Sequence, residues 1–143
     1  ERVVAFVAKG KSEIRSFRDL KGKVVGSNRG WSHGADWDRM VQAKEIVVDE
    51  ADSATANIQR LKAGRIDVYV TVQEDGELAV ASLGFREHIV TGSVTLAQNS
   101  THLIFSKSKV DPSLLKKLDE SILTLRKTGR IREIAASAQG LKP

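Results

Sequence analysis

The 143-residue chain is 41% hydrophobic and 29% charged, carries a formal charge of +5 and has no cysteine. That length allows one well-buried domain and is short for two, the balance is that of a soluble globular protein, and no apolar run approaches the ~18 residues of a membrane helix. Disulfides, thiolate metal sites and cysteine nucleophiles are excluded.

The chain opens at Glu1 with neither an initiator methionine nor a signal-like apolar segment, which predicts a mature form or an excised part of a longer chain. Residues 2–8 (RVVAFVA) are an apolar, β-rich run without alternation, the pattern of a strand covered on both faces. Ser16 precedes a short helical turn through Phe17, Asp19 and Leu20 that stops at Gly22, and residues 23–27 read as a second strand. The run 26–34, GSNRGWSHG, then turns from strand into helix. Backbone N–H groups at such a helix start lack intrahelical partners, so the junction is a natural seat for an anion. Residues 35–44 follow as a helix with Asp36 and Asp38 in its first turn and Trp37, Met40 and Val41 on one face.

Residues 45–49 (EIVVD) read as a strand. Ser53 caps a helix carrying Ala54, Ile58 and Leu61, ended by Gly64, and residues 66–72 (IDVYVTV) form the next strand. This alternation of strand and helix predicts parallel pairing with helical crossovers, an α/β layered domain. A weaker helix opens at Asp75-Gly76 and stops at Gly84. Late strands are expected over 88–90 and 101–107 (THLIFSK), joined by a polar loop through Gln98, Asn99 and Ser100. Asp111-Pro112 starts a helix with Leu115, Leu118, Ile122 and Leu125 on one face, and a short helix over 130–137 follows Gly129. Lys and Arg are interleaved with acids, as in Lys116, Lys117, Asp119 and Glu120, and the dense run 126–132 keeps an apolar face through Ile131 and Ile134. A solvated helix surface is therefore expected there, not a nucleic-acid surface.

Three stretches in this order, 16–32 (SFRDLKGKVVGSNRGWS), 58–70 (IQRLKAGRIDVYV) and 114–134 (LLKKLDESILTLRKTGRIREI), resemble the bacterial periplasmic solute-binding proteins of the polar amino acid type, extracellular solute-binding family 3. The resemblance covers nearly the whole chain. It implies the type II lobe architecture of that family, a mixed, mostly parallel sheet flanked by helices, with C-terminal helices. Such proteins have two α/β lobes joined by hinge strands, close around a ligand, and deliver it to an ABC transporter or a sensor. Family members are considerably longer, and most of the first lobe would lie before Glu1. The resemblance then makes residues 1–8 and 101–107 hinge strands, 9–100 the second lobe and 108–143 first-lobe helices, all in one solute-binding-like domain. The family's carboxylate-clamping arginine would fall in the part not present.

Matching the glycine turn residue by residue places Asn28, Ser32 and His33 where the family touches ligand. The family strand after G-R-I-D ends in an ammonium-binding aspartate, and that position here is Val72. A valine accepts no hydrogen bond, so Glu74 or Asp75 of the next turn would have to substitute. Asp67 matches an aspartate that looks architectural in the family.

Gly30, Ser32 and their neighbours read either as an anion seat or as the cap of the helix at Ala35, and the two are compatible. Trp31 stacks on a ligand or covers the hinge. Thr71, at the end of its strand, faces the crevice where open α/β sheets bind ligands, as Ser53 does less directly. A Ser32-His33-Asp36 triad or a metal held by His33, His88 and His102 is disfavoured, because adjacent Ser and His rarely meet and the histidines lack ligand spacing. The glycines match neither a P-loop nor a dinucleotide fingerprint. The expected function is thus non-catalytic binding of a small amino acid-like or organic acid solute for an ABC transporter in the periplasm, without cofactor or metal. A ligand-sensing module of a receptor or regulator with the same fold is the alternative. The apolar stripe of the 112–128 helix predicts a homodimer through the C-terminal helices.

Overall fold

The computed structural model describes residues 1–100, 102–106 and 108–138. It comprises two compact units, Glu1–Thr101 and His102–Pro143. The first is built on a six-stranded sheet of order β3-β2-β4-β1-β5, with β6 also pairing β1. The strands are β1 (Arg2–Ala8), β2 (Val24–Asn28), β3 (Val47–Ala51), β4 (Val68–Val72), β5 (Ile89–Thr91) and β6 (Ala97–Gln98). Strands β2, β3 and β4 run parallel, joined by α1 (Ala35–Gln42) and α2 (Ala54–Lys62). β1 pairs antiparallel with β4, from Val3 opposite Val72 to Val7 opposite Val68, and also antiparallel with β5 and β6. β1 alone is reversed, so the sheet is mixed but mostly of one direction, as expected.

The apolar run of β1 is buried on both faces because it is sandwiched between two cores. Val3, Ala5 and Val7 join Val25, Val68 and Val70 against Trp37 and Met40 of α1 and against Phe17 and Leu20 of a 3₁₀ turn, Phe17–Leu20. Val4, Phe6 and Tyr69 meet Ile58 and Leu61 of α2 and Ala79 and Val80 of α3 (Gln73–Ser82) on the other face. Burial of a side chain of this size stabilises the fold by roughly 1.5–3 kcal/mol.

Several element boundaries differ from the sequence reading. β3 starts two residues later than residue 45, because Lys44 takes a positive φ of 55° and Glu45 N–H donates to Met40 carbonyl oxygen, closing α1 before the strand begins. α3 begins directly at the end of β4, with Val72 as its uncapped N-cap, so Glu74 and Asp75 form its first turn. Residues 102–106 carry no strand pairing, against the expectation for 101–107; Thr101 and Lys107 lie outside the described residues. The edge of β1 opposite β4 is filled by β5 and by β6, the latter formed within the expected polar loop. Asp67 is architectural: its Oδ2 accepts from Val24 N–H at 2.8 Å while its own N–H donates to Val24 carbonyl oxygen at 2.8 Å, extending the β2–β4 pairing.

The second unit contains α4 (Pro112–Lys127) and α5 (Arg130–Ala138). As the sequence indicates, Asp111 caps α4, its Oδ1 accepting from Ser113 N–H at 2.7 Å, with proline in the first turn. No α4 residue is fully buried; Leu115, Leu118 and Ile122 are half-buried, and Leu125 is exposed.

Close packing of α3 on the sheet depends on Gly76, where an added Cβ would collide with the Phe6 ring. A ring anchored in the core cannot retreat without opening a void. Gly76→Ala is expected to destabilise the first unit by roughly 1–3 kcal/mol despite alanine's better helix propensity, measured by urea denaturation; unchanged or raised stability would contradict this packing.

Candidate functional site

The carboxyl ends of β2, β3 and β4 lie along one edge of the sheet, marked by Asn28, Ala51 and Val72. Crevices outside such edges are where open α/β sheets bind ligands. The glycine-rich turn leaves β2 there. Trp31 N–H donates to Asn28 carbonyl oxygen at 3.1 Å, with Gly30 at φ 73° as the left-handed residue that closes the turn. Gly30 N–H is held by Glu50 Oε1 at 3.1 Å, and Gly34 N–H by Ser32 Oγ at 3.2 Å. Among the described residues, the N–H groups of Ser32, His33, Ala35, Asp36 and Trp37 have no acceptor. The free donors therefore centre on the start of α1, slightly beyond the Gly30–Gly34 span that the sequence suggests.

Ser32 does not cap α1 in the usual way, since Gly34 is the N-cap and has no side-chain cap bond. Its hydroxyl instead donates to Asp38 Oδ2 at 2.9 Å. Trp31 is 42% exposed on the turn. Arg29, the cation nearest in sequence, is held by Asp52 at 2.8 Å and faces Glu50 at 3.9 Å. Val72 is buried, and Asp75 has its carboxyl pushed above the usual range by burial and by Glu1 and Glu74.

His33 departs from the ligand-facing reading. It is only 1% exposed, with Nε2 3.0 Å from Ser27 Oγ and its ring edge-on to Trp37 at 4.7 Å. Ser27 is the cause: where the inward face of β2 would carry a bulky apolar residue, a small hydroxyl leaves room and a partner for the imidazole. Ser32 and His33 thus engage different partners, and Asp36 pairs with Arg39 at 2.9 Å, so no triad is assembled. Among the described residues no group of His, Asp and Glu is arranged to hold a metal.

On the opposite face a polar cluster, missed in the sequence, lies beneath the same edge. Asn57 of α2 is fully buried, and its Nδ2 donates to Ser27 carbonyl oxygen at 3.1 Å, Ser53 carbonyl oxygen at 3.3 Å and Asn28 Oδ1 at 3.0 Å. Tyr69 O–H donates to the same Asn28 Oδ1 at 3.0 Å, and burial raises its ionisation above the ordinary phenol value. Thr71 is buried near that phenol, yet its Oγ1 makes no bond of good geometry. The available signal was Asn57 at an inward helix position, between Ala54 and Ile58, where an unpaired amide is costly. Ser53 caps α2, its Oγ accepting from Ala56 N–H at 3.2 Å.

His33 links this site to pH. Burial lowers its pKa from 6.5 to about 4. Because the folded value lies below the unfolded one, the neutral imidazole's stabilisation is complete above pH 6.5 and is lost as pH falls through about 4. The loss is roughly 2–4 kcal/mol. Denaturation between pH 7 and pH 4 should show a steeper decline for the parent than for His33→Gln, which does not titrate; parallel declines would remove His33 as the cause.

Residues 1–108 match the family model described as NMT1/THI5 like. The probable amino-acid-binding protein YxeM of Bacillus subtilis (strain 168) is 23% identical over 129 residues, which make up 90% of this chain and 48% of that protein. The chain thus spans about half the length of this curated relative. An ancestral arginine-binding protein bound to arginine superimposes with a TM-score of 0.72 at 24% identity, over 95% of this chain and 59% of that one. The glutamate-bound GluR0 ligand-binding core of Nostoc punctiforme gives 0.70 at 20% identity, over 95% and 59%. Domain 2 of the arginine-binding protein TmArgBP is covered to 99% by 69% of this chain, at 23% identity and a TM-score of 0.52. These relatives carry the names of binding proteins or ligand-binding cores, and the fold they share is the type II periplasmic-binding-protein fold. Matched over most of its length, the chain belongs to the NMT1/THI5-like family of this solute-binding fold.

Proposed function

We propose that the Glu1–Thr101 unit is one lobe of a non-catalytic binding protein for a small polar solute, amino acid-like or an organic acid. The observation that carries this reading is the row of unpartnered N–H groups at the start of α1, on the sheet edge where Asn28 also ends β2. Peptide donors at a helix start favour an anionic oxygen. Ser32 reaches the solute by releasing Asp38, Trp31 covers it from the turn, and His33 contributes its main chain, since its imidazole is buried. Thr71 supports the edge from below. Where the solute carries an ammonium group, Asp75 is the acceptor that stands in for the apolar Val72. No cofactor or metal is required.

In this reading residues 1–8 form one hinge strand, residues 102–106, which carry no strand pairing, are the second crossing in place of the expected strand, α4 and α5 belong to a first lobe of which most is not in this chain, and closure of the lobes supplies the remaining contacts. Delivery to an ABC transporter in the periplasm fits the amino-acid-binding name of the Bacillus relative. A second reading, a sensor module, is favoured by the match of 99% of this chain to 62% of a histidine kinase sensor domain with similarity to periplasmic binding proteins, at a TM-score of 0.67 and 22% identity. A membrane helix or kinase region elsewhere in the same gene would select it. Homodimerisation through the partly exposed face of α4 completes the proposal, and light scattering of the purified chain checks it: a concentration-dependent dimer is expected, and a monomer at high concentration would remove this part.

Calorimetry against a panel of amino acids and organic acids tests the central reading. Saturable binding of at least one is expected, weakened about 2- to 10-fold by Ser32→Ala, the worth of one hydrogen bond. A panel that yields no binding, by the chain or by the longer protein containing it, would end the solute-binding reading.

A further inference from the structure

The buried polar cluster fixes which way the Asn28 amide faces, and this has a chemical consequence for the ligand. Asn57 Nδ2 lies among three acceptors, and two of them, the carbonyl oxygens of Ser27 and Ser53, are main-chain groups that cannot donate. The orientation of the Asn57 amide is therefore set. The Asn28 atom 3.0 Å from that Nδ2 must accept, so it is Oδ1. Tyr69 O–H, 3.0 Å from the same oxygen, must then donate to it. With Oδ1 held by donors from α2 and β4, Asn28 Nδ2 points away from both. Among the described residues it donates to nothing, and it is not one of the enclosed unsatisfied atoms. A half-satisfied side-chain amide at the end of β2 thus keeps its two N–H donors for whatever occupies the carboxyl edge.

We propose that Asn28 is a specificity-determining donor, polarised by Tyr69 and Asn57 as positioning residues, and that the site selects solutes presenting an acceptor oxygen, a carboxylate above all, at this point. The inference rests on the solute-binding reading and sharpens it. An amide free to rotate would serve a donor or an acceptor ligand equally, whereas this one serves acceptors alone. Its neighbours agree with that polarity: the α1 start contributes further N–H groups, and among the described residues no side-chain carboxylate bonds Asn28.

Asn28→Asp is the informative variant, because it keeps the shape and the Oδ1 acceptor for Tyr69 and Asn57 but replaces the outward donor with a second oxygen. Titrations use L-arginine with its decarboxylated form agmatine, and L-lysine with its decarboxylated form cadaverine; neither decarboxylated form keeps a carboxylate. The parent is expected to favour the acid of at least one pair. Asn28→Asp should weaken that acid about 10- to 100-fold, with much less effect on its decarboxylated partner and a thermal midpoint near that of the parent. Tyr69→Phe, which releases one of the two donors on Oδ1, should reduce the same preference in the same direction. Unchanged preference in Asn28→Asp overturns this inference and leaves solute binding standing. Equal loss for both members of a pair, or a collapsed thermal midpoint, shows a structural role and also overturns it. A parent that binds none of the four, while binding other solutes that lack an acceptor oxygen, overturns it too; a parent that binds no solute at all removes the solute-binding reading and this inference with it.

Discussion

The carboxyl edge of the sheet depends on one buried side chain, the Asn57 amide. It joins the last residues of β2 to the first turn of α2 by donating to main-chain oxygens on each and to Asn28 between them. In a low-dielectric interior breaking the bonds made by Asn57 Nδ2 is costly, since each abandoned carbonyl oxygen loses its partner without regaining water, while Asn57 Oδ1 itself stays without a partner among the described residues. The approach that makes these bonds possible is close. A Cβ on Gly26 would stand 2.9 Å from Asn57 Oδ1 and would collide with Ile66, so a glycine at that place in β2 is a packing requirement and not a matter of backbone freedom. The facing of the Asn28 amide follows from this contact between helix and strand.

Much of the architecture was legible in the residues because local signals and tertiary packing agree. The unbroken apolar run of β1 needs cover on both faces and has it; Ser53 caps α2, and Asp111 with Pro112 starts α4. Boundaries drifted where a tertiary contact overrode local pattern. Glu45 and Ile46 look like strand by composition, yet a left-handed Lys44 and a bond back to Met40 delay β3. The strand expected near residue 103 is apolar enough, but β5 and β6 already occupy that edge of β1.

The glycine turn was legible in place, but its contacts were not. Residue order located the glycine turn at the end of β2. It could not tell that Ser27 would draw the His33 imidazole inward, or that Glu50 would occupy the Gly30 N–H. Those outcomes depend on pairs six and twenty positions apart in the chain, brought together only by the β2–β3 register and the return of the turn. Asn57 and Tyr69 belong to the same class: each looks like an ordinary core position with a polar tip until the facing elements are known.

In the proposed function the edge offers donors, from the start of α1 and from Asn28, to an acceptor-bearing solute. Side-chain amide NMR during a titration with L-glutamate or L-arginine reads it most directly. The Asn28 NH₂ pair and the backbone amides of residues 32–37 should shift together and saturate at one ligand concentration, with residues 112–127 unmoved. A saturable response elsewhere, with the Asn28 pair unmoved, would contradict it.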